Sequence, residues 1–121
     1  MAAEVNYTII QGATFRERVT WQDSNEAGID LTGATVYMQV RDNYADLVAA
    51  TILDLENGSG ITLSDQGTSP GQFTIELTPA QTEALSWTGT KFYDVEVHQS
   101  NGDVFRILQG RISLSREVTR N

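Results

Sequence analysis

The stretch from Leu31 to Arg41 constrains the fold more than any other part of the chain. Leu31-Thr32-Gly33 turns the backbone, and Val36, Met38 and Val40 then alternate with Tyr37, Gln39 and Arg41. A side-chain period of two belongs to a strand with one face in a core and the other in solvent. The alternation recurs elsewhere. Phe73, Ile75 and Leu77 alternate with Gln72, Thr74 and Glu76, and Tyr93, Val95 and Val97 with Asp94, Glu96 and His98. Phe15, Val19 and Trp21 alternate with Arg16, Arg18 and Thr20, with Glu17 out of place on the apolar face. Either Glu17 sits at a sheet margin or a bulge resets the phase there.

Between these segments the chain carries turn chemistry. Tyr7 to Gln11 reads as a first short strand ending at Gly12, and Asp23-Ser24-Asn25-Glu26-Ala27-Gly28 as a turn. Asn43 to Leu55 reads as a loop, a helical turn around Ala45 to Ala50, or a strand over Ala50 to Leu55, with the late strand preferred. Ile61 and Leu63 make a short strand among glycines. Thr78-Pro79-Ala80-Gln81 predicts a short helix: Thr78 caps, Pro79 suits the first position, Gln81 completes a capping box, and Ser86-Trp87-Thr88-Gly89 ends it. Ser100-Asn101-Gly102-Asp103 is a hairpin turn, Asn-Gly tolerating positive φ at both central positions. Val104 to Leu108 pairs back, Gly110 marks a bulge or bend, and Ile112 and Leu114 continue the strand. The expected fold is all-β: one antiparallel, immunoglobulin-like β-sandwich with one short helix, spanning residues 1–121 with a polar tail from about 116 to 121. Trp21, Tyr37, Phe73 and Tyr93 are its expected core or core-edge aromatics.

Composition narrows the function. A chain of 121 residues is one domain by length. No apolar run approaches the ~20 residues of a membrane-spanning helix, and Met1-Ala2-Ala3-Glu4 has no secretory pattern, so a cytoplasmic site of folding is expected. With no cysteine, disulfides and thiolate metal sites are excluded. Sixteen acidic against eight basic residues give a net charge of −8, which opposes binding to phosphate backbones. Arg106, Arg111, Arg116 and Arg120 nevertheless gather at the C-terminal end, while Asp23 to Asp65 is mostly acidic.

The motifs that carry chemistry elsewhere are weak here. Gly67-Thr68-Ser69-Pro70-Gly71 matches the serine-hydrolase pattern, but that pattern needs a strand-to-helix turn, and here a strand follows. Asp23, Asn25 and Gly28 match three positions of a calcium loop, yet Ala27 and Ala34 stand where ligands are required. Asp54, Glu56 and Asn57 make a second acidic group near glycines, and each of the two groups reads as a solvated turn, with a weak structural cation as the alternative. His98 is the one histidine and lacks a second for a metal site. Asp94 and Glu96 share a strand face only as neighbours, and the two Asn-x-Ser/Thr matches have no secretory route. No catalytic residue, cofactor or metal is expected, and the chain is not expected to be an enzyme.

Gln11-Gly12-Ala13-Thr14-Phe15, Val19-Thr20-Trp21-Gln22-Asp23, Ile29-Asp30-Leu31-Thr32-Gly33 and Met38-Gln39-Val40-Arg41 together resemble a small β-sandwich domain of tailed-bacteriophage virion proteins. The resemblance runs on through Leu108-Gln109-Gly110-Arg111-Ile112 and Glu117-Val118-Thr119-Arg120, and the nearest named relatives are the N-terminal domains of phage baseplate upper proteins. It implies a structural virion component made in the host cytoplasm, attached at tail or baseplate. Its partners would be other phage structural proteins, with several copies in the assembly and neither nucleic acid nor membrane involved. The chain stops at Asn121, short of the distal region of those relatives, which raises capsid decoration or a neck or collar position as the rival. From another class, a carbohydrate-binding module would use Trp87 beside Gly89 as an aromatic platform. Attachment is expected through the uncharged strand at Tyr7, Ile9 and Ile10, and through a basic arm with Arg111, Arg116 and Arg120. Deleting residues 1–11, or separately residues 115–121, is expected to leave a folded domain but to impair its incorporation into particles.

Overall fold

The computed structural model describes residues 3–41 and 52–116. Its strands are β1 (Ala3–Glu4), β2 (Tyr7–Ile10), β3 (Phe15–Thr20), β4 (Thr35–Arg41), β5 (Leu53–Asn57), β6 (Gly60–Leu63), β7 (Gln72–Leu77), β8 (Thr90–His98) and β9 (Val104–Ser115), with one helix, α1 (Pro79–Glu83). Among the described residues no helix is long and apolar enough to cross a membrane.

The strands form one curled sheet in the order β1-β9-β8-β4-β5-β6-β7-β3, with β2 also pairing β9. It is a half-barrel, continuous through the corner between β5 and β6, rather than two separate sheets. Nor is it purely antiparallel: β1 and β2 both run parallel to β9, and β5 runs parallel to β6. Nearly the whole chain lies between β2 and β9, the long connection that an extended parallel pair needs, whereas β5 and β6 meet over only two residue pairs across the turn at Gly58 and Ser59. The corner is held by Asn57, whose amide donates to the Ala34 carbonyl (2.9 Å) and whose oxygen accepts from the Val36 N–H (2.9 Å). The acidic group expected around Asp54 to Asn57 is thus partly a structural joint.

The period-two segments bury the faces their patterns specify. Val36, Met38, Val40, Phe73, Ile75, Leu77, Tyr93, Val95 and Val97 are all buried, and Ile9, Ile112 and Leu114 join them from the N-terminal end of the sheet. Each such side chain contributes roughly 1.5–3 kcal/mol through burial. Glu17 lies at a margin, because β3 pairs with β7 in unbroken register from Phe15 to Thr20. Trp21 is partly buried against the core, but Tyr37 belongs to the outer face, where its ring meets His98 edge-on at 4.7 Å.

Two local expectations are corrected. The bulge lies at Ile107, not Gly110: Val95 pairs Leu108 while Glu96 pairs Arg106. That extra residue lets Ile107 and Leu108, adjacent in sequence, both enter the core. Gly110 is needed for a different reason, since a Cβ there would lie 2.1 Å from the Val5 carbonyl oxygen. In the β8–β9 turn only Gly102 takes positive φ (96°). Its N–H donates to the Gln99 carbonyl, so the loop is a simple turn closed by a left-handed glycine rather than the doubly left-handed Asn-Gly form. Of the alternatives for Asn43 to Leu55, the late strand is β5, beginning at Leu53; residues 42–51 lie outside the described residues.

The helix has its full capping box. The Gln81 N–H donates to Thr78 Oγ1 (3.2 Å), and the Thr78 N–H donates to Gln81 Oε1 (2.8 Å). Five residues cannot hold a helix alone, and tertiary bonds fasten it. Buried Thr82 donates its hydroxyl to the Ala13 carbonyl (2.8 Å) and accepts the Gly12 N–H (3.0 Å). Buried Gln11 donates to the Leu85 carbonyl (2.8 Å). Both groups are satisfied, as buried polar atoms must be. The turn from β2 to β3 is therefore locked to the helix.

Candidate interaction surface

The two ends of the sheet are where strand backbone is left without a strand partner on one side among the described residues. At one end lies the rim formed by β1, β2 and β9. Tyr7 pairs with Ile112 and Ile10 with Ser115. The strand is tethered by the Val5 N–H donating to the Gln109 carbonyl (2.9 Å), by the Arg111 N–H donating to Asn6 Oδ1 (3.0 Å), and by the Tyr93 hydroxyl donating to the Val5 carbonyl. The Tyr7 ring packs between Phe15 (5.8 Å) and Tyr93 (5.4 Å). Burial, and secondarily the charge of Glu17, push the Tyr7 phenol above its ordinary pKa.

The expected attachment residues separate on this rim. Ile10 is 60% exposed, and Arg116, one residue past its partner Ser115, is exposed with a guanidinium N–H donating to the Ser86 carbonyl (3.2 Å). Arg111 is exposed at the other end of the β2 pairing. Tyr7 is only half-buried in the aromatic stack. Ile9 is corrected: alternation turns its side chain fully into the core, where it offers nothing to a partner. Arg120 lies outside the described residues. β2 carries Ile9 into the core and packs Tyr7 against it, so deleting residues 1–11 would take a buried strand as well as a terminus.

Sequence reasoning missed other exposed apolar residues near this end: Val5 (37%), Val104 (52%) and Phe105 (44%). Phe105 reaches Trp21 across the sheet, ring to ring at 5.4 Å. The signal was present, since Val104 and Phe105 are adjacent apolar residues that break alternation after the hairpin.

At the other end β3 pairs, among the described residues, with β7 alone. Arg16, exposed, forms an ion pair with Glu76 of β7. Arg18 is exposed and has no ion pair among the described residues.

The remaining motifs resolve into local structure. Gly67 to Gly71 lies in the loop joining β6 to β7, where the Ser69 N–H donates to the Asp65 carbonyl (2.7 Å). Asp23 Oδ1 accepts from the Asn25 (2.8 Å) and Ala27 (3.1 Å) N–H groups, which occupies one of its oxygens with turn formation. Among the described residues no group of three or more acidic, histidine or cysteine side chains is placed to hold a metal ion. On the outer face, burial raises the pKa of Asp94 against the opposing effect of Arg106, whose Nε lies 3.3 Å from its carboxylate. Trp87 is corrected as well: only 7% exposed, it belongs to the core and presents no platform to a sugar.

No protein-family model matches the chain, and no curated protein sequence matches it significantly. Among solved structures it is similar to CopC from Methylosinus trichosporium OB3b, at 9% identity over 94% of this chain and 89% of that one, TM-score 0.45. A voltage-gated sodium channel β subunit, studied for multimeric cell-adhesive interactions, is similar at 12% identity over 96% and 93% of the two chains, TM-score 0.46. The extracellular domain of the sodium channel β4 subunit, described as a parallel homodimer, is similar at 12% identity over 98% and 96%, TM-score 0.38. At such scores the likeness carries no functional weight.

Proposed function

We propose that this chain is a non-catalytic structural component of a tailed-phage virion, attached at the tail or baseplate through the β2–β9 rim. The phage setting rests on the sequence motifs from Gln11 to Arg41 and from Leu108 onward. We read the half-barrel as a variant of the immunoglobulin-like sandwich, with β9, β8, β4 and β5 in one layer and β6, β7 and β3 in the other. The observation that carries the attachment reading is Ile10: an apolar side chain 60% exposed, on a strand whose outer edge has no partner among the described residues, beside the exposed cation Arg116. A solitary soluble domain protects such an edge with charge or proline. An apolar contact with a basic border suits a protein neighbour whose surface is apolar at the centre and acidic around it, the cations serving mainly to orient the partners.

Particles purified from a lysate of a phage encoding the protein should contain it in several copies, with its density at the tail or baseplate in a reconstruction. Ile10→Asp should leave the circular dichroism spectrum unchanged and lower occupancy. Absence of the protein from purified particles would defeat the reading. Density on the capsid or at the neck would keep the virion role and move the attachment point.

A further inference from the structure

We propose that the free edge of β3 is a strand-addition site for an extended acidic segment of a partner protein. The backbone geometry comes first. The Trp21 N–H donates to the Gly71 carbonyl (2.8 Å), in line with the register that pairs Thr20 with Gln72. In an antiparallel pair the backbone groups of alternate residues point to the same side. Phe15, Glu17 and Val19 therefore aim their N–H and C=O groups at β7, and Arg16, Arg18 and Thr20 aim theirs outward. No strand among the described residues takes up that outer edge. An incoming strand would find a ladder of three residues ready to pair, the basis of recognition by strand addition.

Side chains then select the occupant. The residues that offer the outward backbone groups are also the ones whose side chains face solvent, and two of the three are arginines. Residues directly opposite one another in a ladder have their Cβ atoms about 5 Å apart, so an incoming strand with Asp or Glu opposite Arg16 and Arg18 gains two charge pairs. Arg18 has no competing ion pair among the described residues, whereas Arg16 would share its guanidinium with Glu76. On the inner side the new strand would lie beside half-buried Glu17 and Val19, which favours a polar donor next to one and an apolar residue next to the other. The preferred segment is thus extended, acidic at every second position and uncharged between.

A second copy of β3 does not meet this description. Antiparallel self-pairing centred on Glu17 sets each Arg16 against the partner's Arg18 and the two Glu17 side chains against each other, while centring on Arg18 sets those two arginines together. Like charges directly opposite destabilise a ladder. The same charges that attract an acidic strand discourage the chain from pairing with itself.

The test uses the full chain and two nine-residue peptides that alternate Glu or Lys with Thr and Val. Titrating the Glu peptide into isotope-labelled protein should shift the amide resonances of Arg16, Arg18 and Thr20 saturably, with the effect weakened by salt. Arg18→Glu should reduce the affinity about tenfold or more, replacing one attraction with a repulsion. Arg18→Pro should abolish binding while leaving the β7 pairing intact, since it removes only an outward N–H. Equal binding of the Lys peptide, shifts centred away from β3, or no saturable binding at millimolar peptide would each overturn the proposal. So would a dimer of the chain alone that Arg18→Pro disrupts. Because the ladder is offered by β3 and Ile10 belongs to β2, and the Arg18 variants leave Ile10 unchanged, failure here leaves the virion reading standing, and particle occupancy tests that reading separately.

Discussion

The two ends of the sheet are both solvent-facing, yet they are built by opposite means. The β2–β9 end is tied down from within: the Tyr93 hydroxyl holds the Val5 carbonyl, Asn6 holds the Arg111 N–H, and Ile9 is fully buried. β2 itself carries no charge, and Val5 and Ile10 remain exposed. The β3 end has no strand partner beyond β7 among the described residues and carries Arg16, Glu17 and Arg18 in a row. The contrast shows one hazard guarded at one edge and left open at the other. β3 sets charge beside its unpaired backbone, whereas β2, held in place by side-chain anchors, leaves its outer backbone uncharged and open to a neighbour.

The largest test of that contrast is Gly110→Ala. A Cβ 2.1 Å from the Val5 carbonyl oxygen cannot be accommodated without displacing β1 and β2. Urea denaturation should show a loss of about 3 kcal/mol, the upper end for overpacking, with hydrogen-exchange protection lost first over residues 3–10. Unchanged protection there would mean the rim is not held by close approach to β9. Next in size is Tyr93→Phe. It keeps the buried ring and removes the bond to Val5, so about 1 kcal/mol should be lost. A neutral result would place the anchoring in packing instead of the hydroxyl.

The smallest effect probes the place where the two ends meet. Tyr7 on β2 has a raised pKa through burial first and Glu17 of β3 second. The folded state then holds the phenolic proton longer than the unfolded chain. This stabilising term is complete below the unfolded pKa of about 10 and is lost as pH rises from there to the folded value. Glu17→Gln should narrow that window without closing it, as ultraviolet titration of the phenolate would show. A titration identical to wild type would separate the two ends electrostatically.

Much of this was legible in the residues themselves. Alternation located β3, β4, β7 and β8, because a strand with one buried face must repeat every two residues. The capping box at Thr78 and Gln81 was equally readable, since its partners lie three residues apart. The attachment residues were only half legible. Ile10 does face solvent, but adjacent Ile9 is core, and two neighbouring isoleucines give no alternation from which to choose. The bulge at Ile107 was misplaced to Gly110, because a glycine invites that reading while the actual cause is two adjacent apolar residues entering one core.

What the sequence determined by itself is therefore local: strand faces, turns and the helix cap, all decided by neighbours a few residues away. Tertiary structure alone decided that β1 and β2 join β9 in parallel, that Gly110 must make room for Val5, that Gln11 and Thr82 lock the first turn to the helix, and that β3 keeps an open edge. Each of these joins residues about seventy to more than a hundred positions apart, or depends on where such distant strands go. Pairing over such separations is set by which surfaces the whole chain can bury at once, and no local pattern encodes it.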